Sequence, residues 1–203
     1  LAGNPNVGKS TLFNRLTGLR QHTGNWPGKT VALARGAFER GGRTYELIDL
    51  PGAYSLAARS AEEEVARDLL LSGTADVVVV VMDATSLKRN LNLALQILEM
   101  TGRAILCVNL IDEAHRQHIR VEGALLERMT GAPVVVISAR GRQGLQDLIR
   151  RIDLIGTVPA KPYHAPYPLV VERAIRRVAG ALPHSPEPVM SMRWVALRLL
   201  EAD

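Results

Sequence analysis

The stretch Gly3-Asn4-Pro5-Asn6-Val7-Gly8-Lys9-Ser10 is a complete G-x-x-x-x-G-K-[ST] loop, and nothing else in the chain constrains its fold as tightly. The glycines let backbone N–H groups turn inward around an anion, Lys9 reaches the β- and γ-phosphates, and the Ser10 hydroxyl can ligate magnesium. Thr11 continues into Leu12-Phe13-Asn14-Arg15-Leu16, a helix-like run, so a bound phosphate lies at a helix N-terminus where the dipole favours negative charge. A buried strand should lead into such a loop. Only Leu1 and Ala2 precede it, so most of that strand is expected to lie outside this sequence.

Beyond the loop, apolar runs and helical patterns alternate. Strands are expected at 31–40, 44–49, 76–82, 103–108 and 133–137. Between them, Ser60 and Glu63 form a capping box ahead of a helix carrying Val65 and Leu69 and closed by Gly73. Leu87, Leu91, Leu95 and Leu98 mark a second helix up to Gly102, and Leu145, Leu148, Ile149 and Ile152 a third. This alternation predicts an α/β fold, an open and mostly parallel sheet with helices on both faces, over residues 1–155. Pro159, Pro162, Pro166 and Pro168 then suggest a stiff linker, and two short amphipathic stretches follow, one on Val171, Ile175, Val178 and Leu182, the other on Met190, Trp194 and Leu197. Residues 156–203 are thus expected to form a small helical segment, too little for a core of its own.

The bulk properties agree. With 203 residues and 47% apolar content, the chain can bury a sizeable core, and no apolar run reaches the length of a membrane span. The single Cys107 falls in a buried strand and excludes an internal disulfide framework. The net charge of +5 is spread out, and its densest group, Arg173, Arg176 and Arg177, fits the solvated face of a helix.

Three further motifs follow strands in order. Asp49-Leu50-Pro51-Gly52 closes a strand, where its carboxylate can hold magnesium through water and its glycine N–H can meet a γ-phosphate; alone it would be good turn chemistry. Asn109-Leu110-Ile111-Asp112 resembles the guanine-reading motif of GTPases. A carboxylate there accepts from N1–H and the 2-amino group of guanine, donors adenine lacks, so Asp112 would select GTP and GDP over adenine nucleotides. Leu110 stands where a lysine is usual, and alone the pattern is also a helix cap. Ser138-Ala139-Arg140, after the run Val134-Val135-Val136-Ile137, resembles the loop whose backbone meets guanine O6.

Together with Gly24-Asn25-Trp26-Pro27-Gly28-Lys29-Thr30, Ala53-Tyr54-Ser55-Leu56, Asp83-Ala84-Thr85-Ser86-Leu87-Lys88-Arg89-Asn90-Leu91 and the tail Arg193-Trp194-Val195-Ala196-Leu197-Arg198-Leu199-Leu200-Glu201, these motifs make the chain similar to the cytosolic N-terminal region of the FeoB ferrous iron transporters. The resemblance implies a regulatory GTPase at the cytoplasmic face of the bacterial inner membrane, joined to an iron-permeation region of the same full-length chain. It implies that residues 156–203 belong to a helical domain modulating nucleotide release. It makes Thr30 the switch threonine that ligates magnesium when the γ-phosphate is present, and gives Asn6 a role in holding potassium beside the phosphates, so that hydrolysis is potassium-stimulated. Lys9, Thr30 and Gly52 are then the residues expected to act in hydrolysis. Self-association is compatible with this resemblance, and no nucleic-acid partner is expected. Ala53 replaces the water-orienting glutamine of Ras-type enzymes, which implies slow intrinsic turnover. The alternative is a soluble basic GTPase of ribosome or tRNA maturation, which shares the nucleotide motifs; an ATP-using P-loop enzyme fits Asn109 and Asp112 less well.

Overall fold

The apolar runs at 78–82, 104–108 and 134–137 form the centre of the molecule, because each strand there is covered on both faces. The computed structural model describes residues 1–19, 21–25, 31–57, 60–155, 163–183 and 191–201. In chain order its elements are β1 (Ala2–Gly3), α1 (Lys9–Thr17), β2 (Gln21–Asn25), β3 (Ala32–Arg40), β4 (Arg43–Asp49) and α2 (Ala61–Leu71). Then come β5 (Val78–Asp83), α3 (Leu87–Met100), β6 (Ala104–Asn109), α4 (Ile111–Arg116), α5 (Gly123–Thr130), β7 (Val134–Val136) and α6 (Leu145–Ile155). Last are α7 (Leu169–Ala181) and α8 (Met192–Leu200).

β1, β5, β6 and β7 pair in that order, all parallel, and β2, β3 and β4 form an antiparallel sheet. Leu50 donates its N–H to Leu1 O at 3.0 Å, which brings the end of β4 beside the entry to β1. Period-two alternation divides the side chains. Val80, Met82, Leu106 and Val108 face α2, α3 and α4, whereas Val79, Val81, Ile105 and Cys107 face α1 and α6. This is the expected doubly covered parallel sheet; it carries the ends of β1, β5, β6 and β7 to one edge, where an open α/β sheet binds ligands, and the Leu50 bond sets the end of β4 beside them.

Local signals act as their chemistry requires. Ser60 caps α2 by accepting the Glu63 N–H at 3.2 Å, and Glu62, Glu63 and Glu64 occupy the first turn. α3 ends at Met100 with an extended Thr101, one residue before the expected glycine stop. β2 takes in Gly24 and Asn25, assigned above to the switch loop, and pairs them with Leu33 and Ala32. The rest of that loop, Trp26 to Thr30, lies outside the described residues, as do Pro159, Pro162 and Met190.

α7 and α8 pack on each other through Ile175, Ala196 and Leu197, with Val171 and Val178 alongside. Trp194 leaves that pair and enters the main core beside α3. The residues leading into α7 are no free spacer: Tyr163 N–H donates to Leu98 O at 2.9 Å and Ala165 N–H to Glu99 Oε1 at 3.3 Å. Arg193 braces the pair, meeting both Glu172 oxygens at 2.6 and 2.7 Å and Ala165 O at 3.0 Å.

Candidate nucleotide-binding site

At the phosphate end, Gly8 has φ 84° and begins α1. A Cβ there would fall 2.4 Å from Asn109 Nδ2, so only glycine allows the loop to approach the end of β6. Lys9 is buried, and that burial draws its ammonium pKa down while the Asp49 carboxylate partly opposes the shift. Ser10 Oγ donates to Asp49 Oδ2 at 3.0 Å, and Asp49 Oδ1 is buried with no hydrogen-bond partner. A hydroxyl and a carboxylate with an unspent oxygen form the hard-oxygen donor set that suits magnesium. Asn4 is buried with its Nδ2 also unpartnered, and Asn6 is exposed with φ 64°. Lys9, Ser10, Asp49, Pro51, Gly52 and Glu62 line one cleft.

Gly52 backs directly onto this loop. A Cβ on it would stand 2.9 Å from Pro5 N and Cα. Ala53 N–H donates to Gly3 O at 3.2 Å. Side-chain contacts hold residues 54–57, and none involves a residue that the sequence motifs single out for this purpose. Glu63 Oε1 accepts from Tyr54 N–H at 3.2 Å, Asn92 Nδ2 donates to Tyr54 O at 3.3 Å, Gln96 Oε1 accepts from Leu56 N–H at 2.7 Å, and Ser55 Oγ accepts from Ala57 N–H at 3.1 Å.

At the opposite end, Asn109 is buried and both heavy atoms of its amide are engaged. Nδ2 donates to Val7 O at 3.0 Å and Oδ1 accepts from Ala139 N–H at 2.9 Å. Asn109 therefore fastens the phosphate loop to the Ser138-Ala139-Arg140 loop, a task the motif alone does not disclose. Leu110 takes φ 63°, a left-handed conformation costing a leucine about 1–2 kcal/mol, and so turns the chain from β6 into α4. Asp112 falls in the first turn of α4 with Oδ1 buried and without a partner; Oδ2 lies 3.9 Å from Arg116. Ser138 Oγ accepts from Gly141 N–H at 3.0 Å, and Arg15 on α1 reaches Arg140 O at 3.2 Å.

The structure thus gathers the phosphate loop, Asp49 to Gly52, Asn109 to Asp112 and Ser138 to Arg140 along one sheet edge, while Thr30 lies outside the described residues. A family profile described as Ferrous iron transport protein B matches residues 1–152. The chain belongs to the FeoB family.

It is 41% identical to the Fe(2+) transporter FeoB of Escherichia coli (strain K12) over its whole length, and spans 26% of that relative. The cytosolic domain of T. maritima FeoB in a GDP form superposes with TM-score 0.92 at 39% identity, covering all of this chain and 79% of that one. Its GMPPNP form gives 0.91 at 38% identity, with 80% of that chain covered. The fold is the P-loop GTPase fold of the FeoB N-terminal G domain, and among the described residues no helix is long and apolar enough to cross a membrane.

Proposed function

We propose that this chain binds guanine nucleotides and slowly hydrolyses GTP, as the regulatory part of a ferrous iron transporter at the cytoplasmic face of the bacterial inner membrane. The observation that carries the reading is Asp112, whose Oδ1 is buried at the base end of the site with no partner of its own. An unsatisfied buried carboxylate oxygen is costly, and guanine N1–H and its 2-amino group supply the missing donors, which adenine does not. T. maritima FeoB, with forms in GDP and GMPPNP at close structural similarity, supports the same assignment.

Each residue has a task in this reading. Backbone groups of Gly3 to Ser10 and Thr11 enclose the phosphates, and the Lys9 ammonium neutralises charge between the β- and γ-positions. Asn109 holds the loops around base and phosphate in register. Leu110 packs on the base, and the Ser138 to Arg140 backbone faces guanine O6. Gly52 N–H meets the γ-phosphate, followed by a loop with alanine, not glutamine, at position 53. Ser10, Thr30 and, through water, Asp49 would hold magnesium, and Asn6 potassium; these cations would supply charge neutralisation on the phosphates. The segment 156–203 would modulate nucleotide release through its seat on α3. The permeation region elsewhere in the full-length chain would be its partner.

The test is a titration with fluorescent GDP and ADP. GDP is expected to bind at least about a hundredfold more tightly. Equal affinity for the two would overturn the guanine assignment.

A further inference from the structure

α3 carries a polar stripe that the nucleotide motifs leave unexplained. Asn92 and Gln96 are four residues apart, hence on one face of the helix, and that face is turned toward the loop behind Gly52. The core-facing side of α3 carries Leu93, Ala94, Ile97 and Leu98 and also buries Asn90 and Glu99, whose bonds go elsewhere. The two amides also meet each other, Gln96 Nε2 donating to Asn92 Oδ1 at 3.5 Å. Each then takes one backbone group of the loop, Tyr54 O and Leu56 N–H. Leu56 itself is buried, so its N–H has few other partners to turn to.

We infer that Gln96, supported by Asn92, is a positioning residue for GTP hydrolysis: it fixes the 53–56 backbone that must place the attacking water. The inference rests on the hydrolysis reading above. Its physical basis is the alanine at position 53. Without a side chain there to orient water, the water must be held by main-chain groups, and these act only at a fixed geometry. Ala53 is tied to Gly3 O on one side. The other side of the loop is tied to the rigid α3 by the 2.7 Å bond from Leu56 N–H to Gln96. Neither amide lies among the residues enclosing base or phosphates, so the clamp affects rate and leaves ground-state affinity nearly alone.

The experiment is single-turnover GTP hydrolysis beside GDP affinity for the parent chain, Gln96→Met and Gln96→Glu. Methionine keeps the side-chain length and removes the acceptor; glutamate keeps the acceptor. Gln96→Met should hydrolyse about tenfold more slowly with GDP affinity within about twofold of the parent, and Gln96→Glu should stay within about threefold of the parental rate. A Gln96→Met variant at the parental rate would overturn the clamp, as would a Gln96→Glu variant as slow as Gln96→Met. Loss of GDP affinity in step with rate would make Gln96 merely structural. A parent that binds GDP and never cleaves GTP would instead remove the hydrolysis reading and the clamp with it.

Discussion

The two ends of the nucleotide site are built differently. At the base end, one buried side chain, Asn109, closes two loops onto each other through both atoms of its amide. At the γ-phosphate end, the loop from Gly52 to Ala57 is held by half-exposed or exposed side chains, Glu63, Asn92 and Gln96, each contributing a single bond to the loop. Buried bonds are expensive to leave unmade, whereas exposed ones exchange with water at little cost. In the proposed reading, the base end therefore sets whether nucleotide is held at all. At the other end the exposed Glu63 and Asn92 bonds can be given up and remade, as a switch requires, while the part-buried bond from Leu56 N–H to Gln96 keeps the far side of the loop fixed.

The sharpest way to break this division is Asn109→Ala. It leaves Val7 O and the buried Ala139 N–H without partners, at about 1–3 kcal/mol each, and GDP affinity should fall about a hundredfold. Titration with labelled GDP measures it, and a change under about threefold would mean the two loops do not depend on this residue. Gly52→Ala attacks the other end. Its methyl would press on Pro5, so turnover should fall at least about tenfold while GDP affinity changes less than about threefold. Equal losses in rate and affinity would erase the distinction between the ends.

Arg15→Ala is milder. Its bond to Arg140 O is exposed, and its loss should quicken GDP release about twofold to threefold, read by stopped-flow displacement. No change would show that the Arg140 loop is held by Asn109 and Ser138 alone.

The smallest effect concerns the helical segment. The Arg193 guanidinium beside Glu172 holds that carboxyl down at about 2. The unfolded chain, titrating near 4.5, takes up the proton first as pH falls. The contribution of Glu172 is thus complete above about 4.5 and fades as pH drops toward 2. In a Trp26→Phe background, Trp194 fluorescence should follow α8 leaving α3, and Glu172→Gln should flatten its acid-side slope. An unchanged slope would remove this pair from the segment's acid response.

Most of the fold was legible because the buried strands are continuous apolar runs and the capping box at Ser60 announces α2. β2 was not: Gln21-His22-Thr23-Gly24-Asn25 has no apolar alternation, and it becomes a strand by pairing with β3. α4 and α5 are short, and the entry to α4 depends on a left-handed leucine that no local pattern signals. In the candidate site, the motif residues come together along one sheet edge, but motif spacing does not disclose the bonds among them. The amide of Asn109 is spent on the protein, a long-range fact. Gln96 sits between Leu95 and Ile97 like any solvated helix residue. Glu99 left a better clue: an acid in the apolar run Ile97-Leu98-Glu99-Met100 implies a buried partner, and it accepts from Ala165 N–H and the Tyr167 hydroxyl. Its burial raises its own pKa.

The central claim is that Asp112 reads the base. The direct measurement is the affinity of Asp112→Asn for GDP and for its xanthine counterpart, XDP. Asparagine presents a carbonyl and an amide where the carboxylate presented two acceptors, and xanthine carries an oxygen in place of the 2-amino group. The account predicts that preference inverts, with GDP affinity down at least about a hundredfold and XDP bound the more tightly of the two. A variant that still preferred GDP by the parental margin would contradict it.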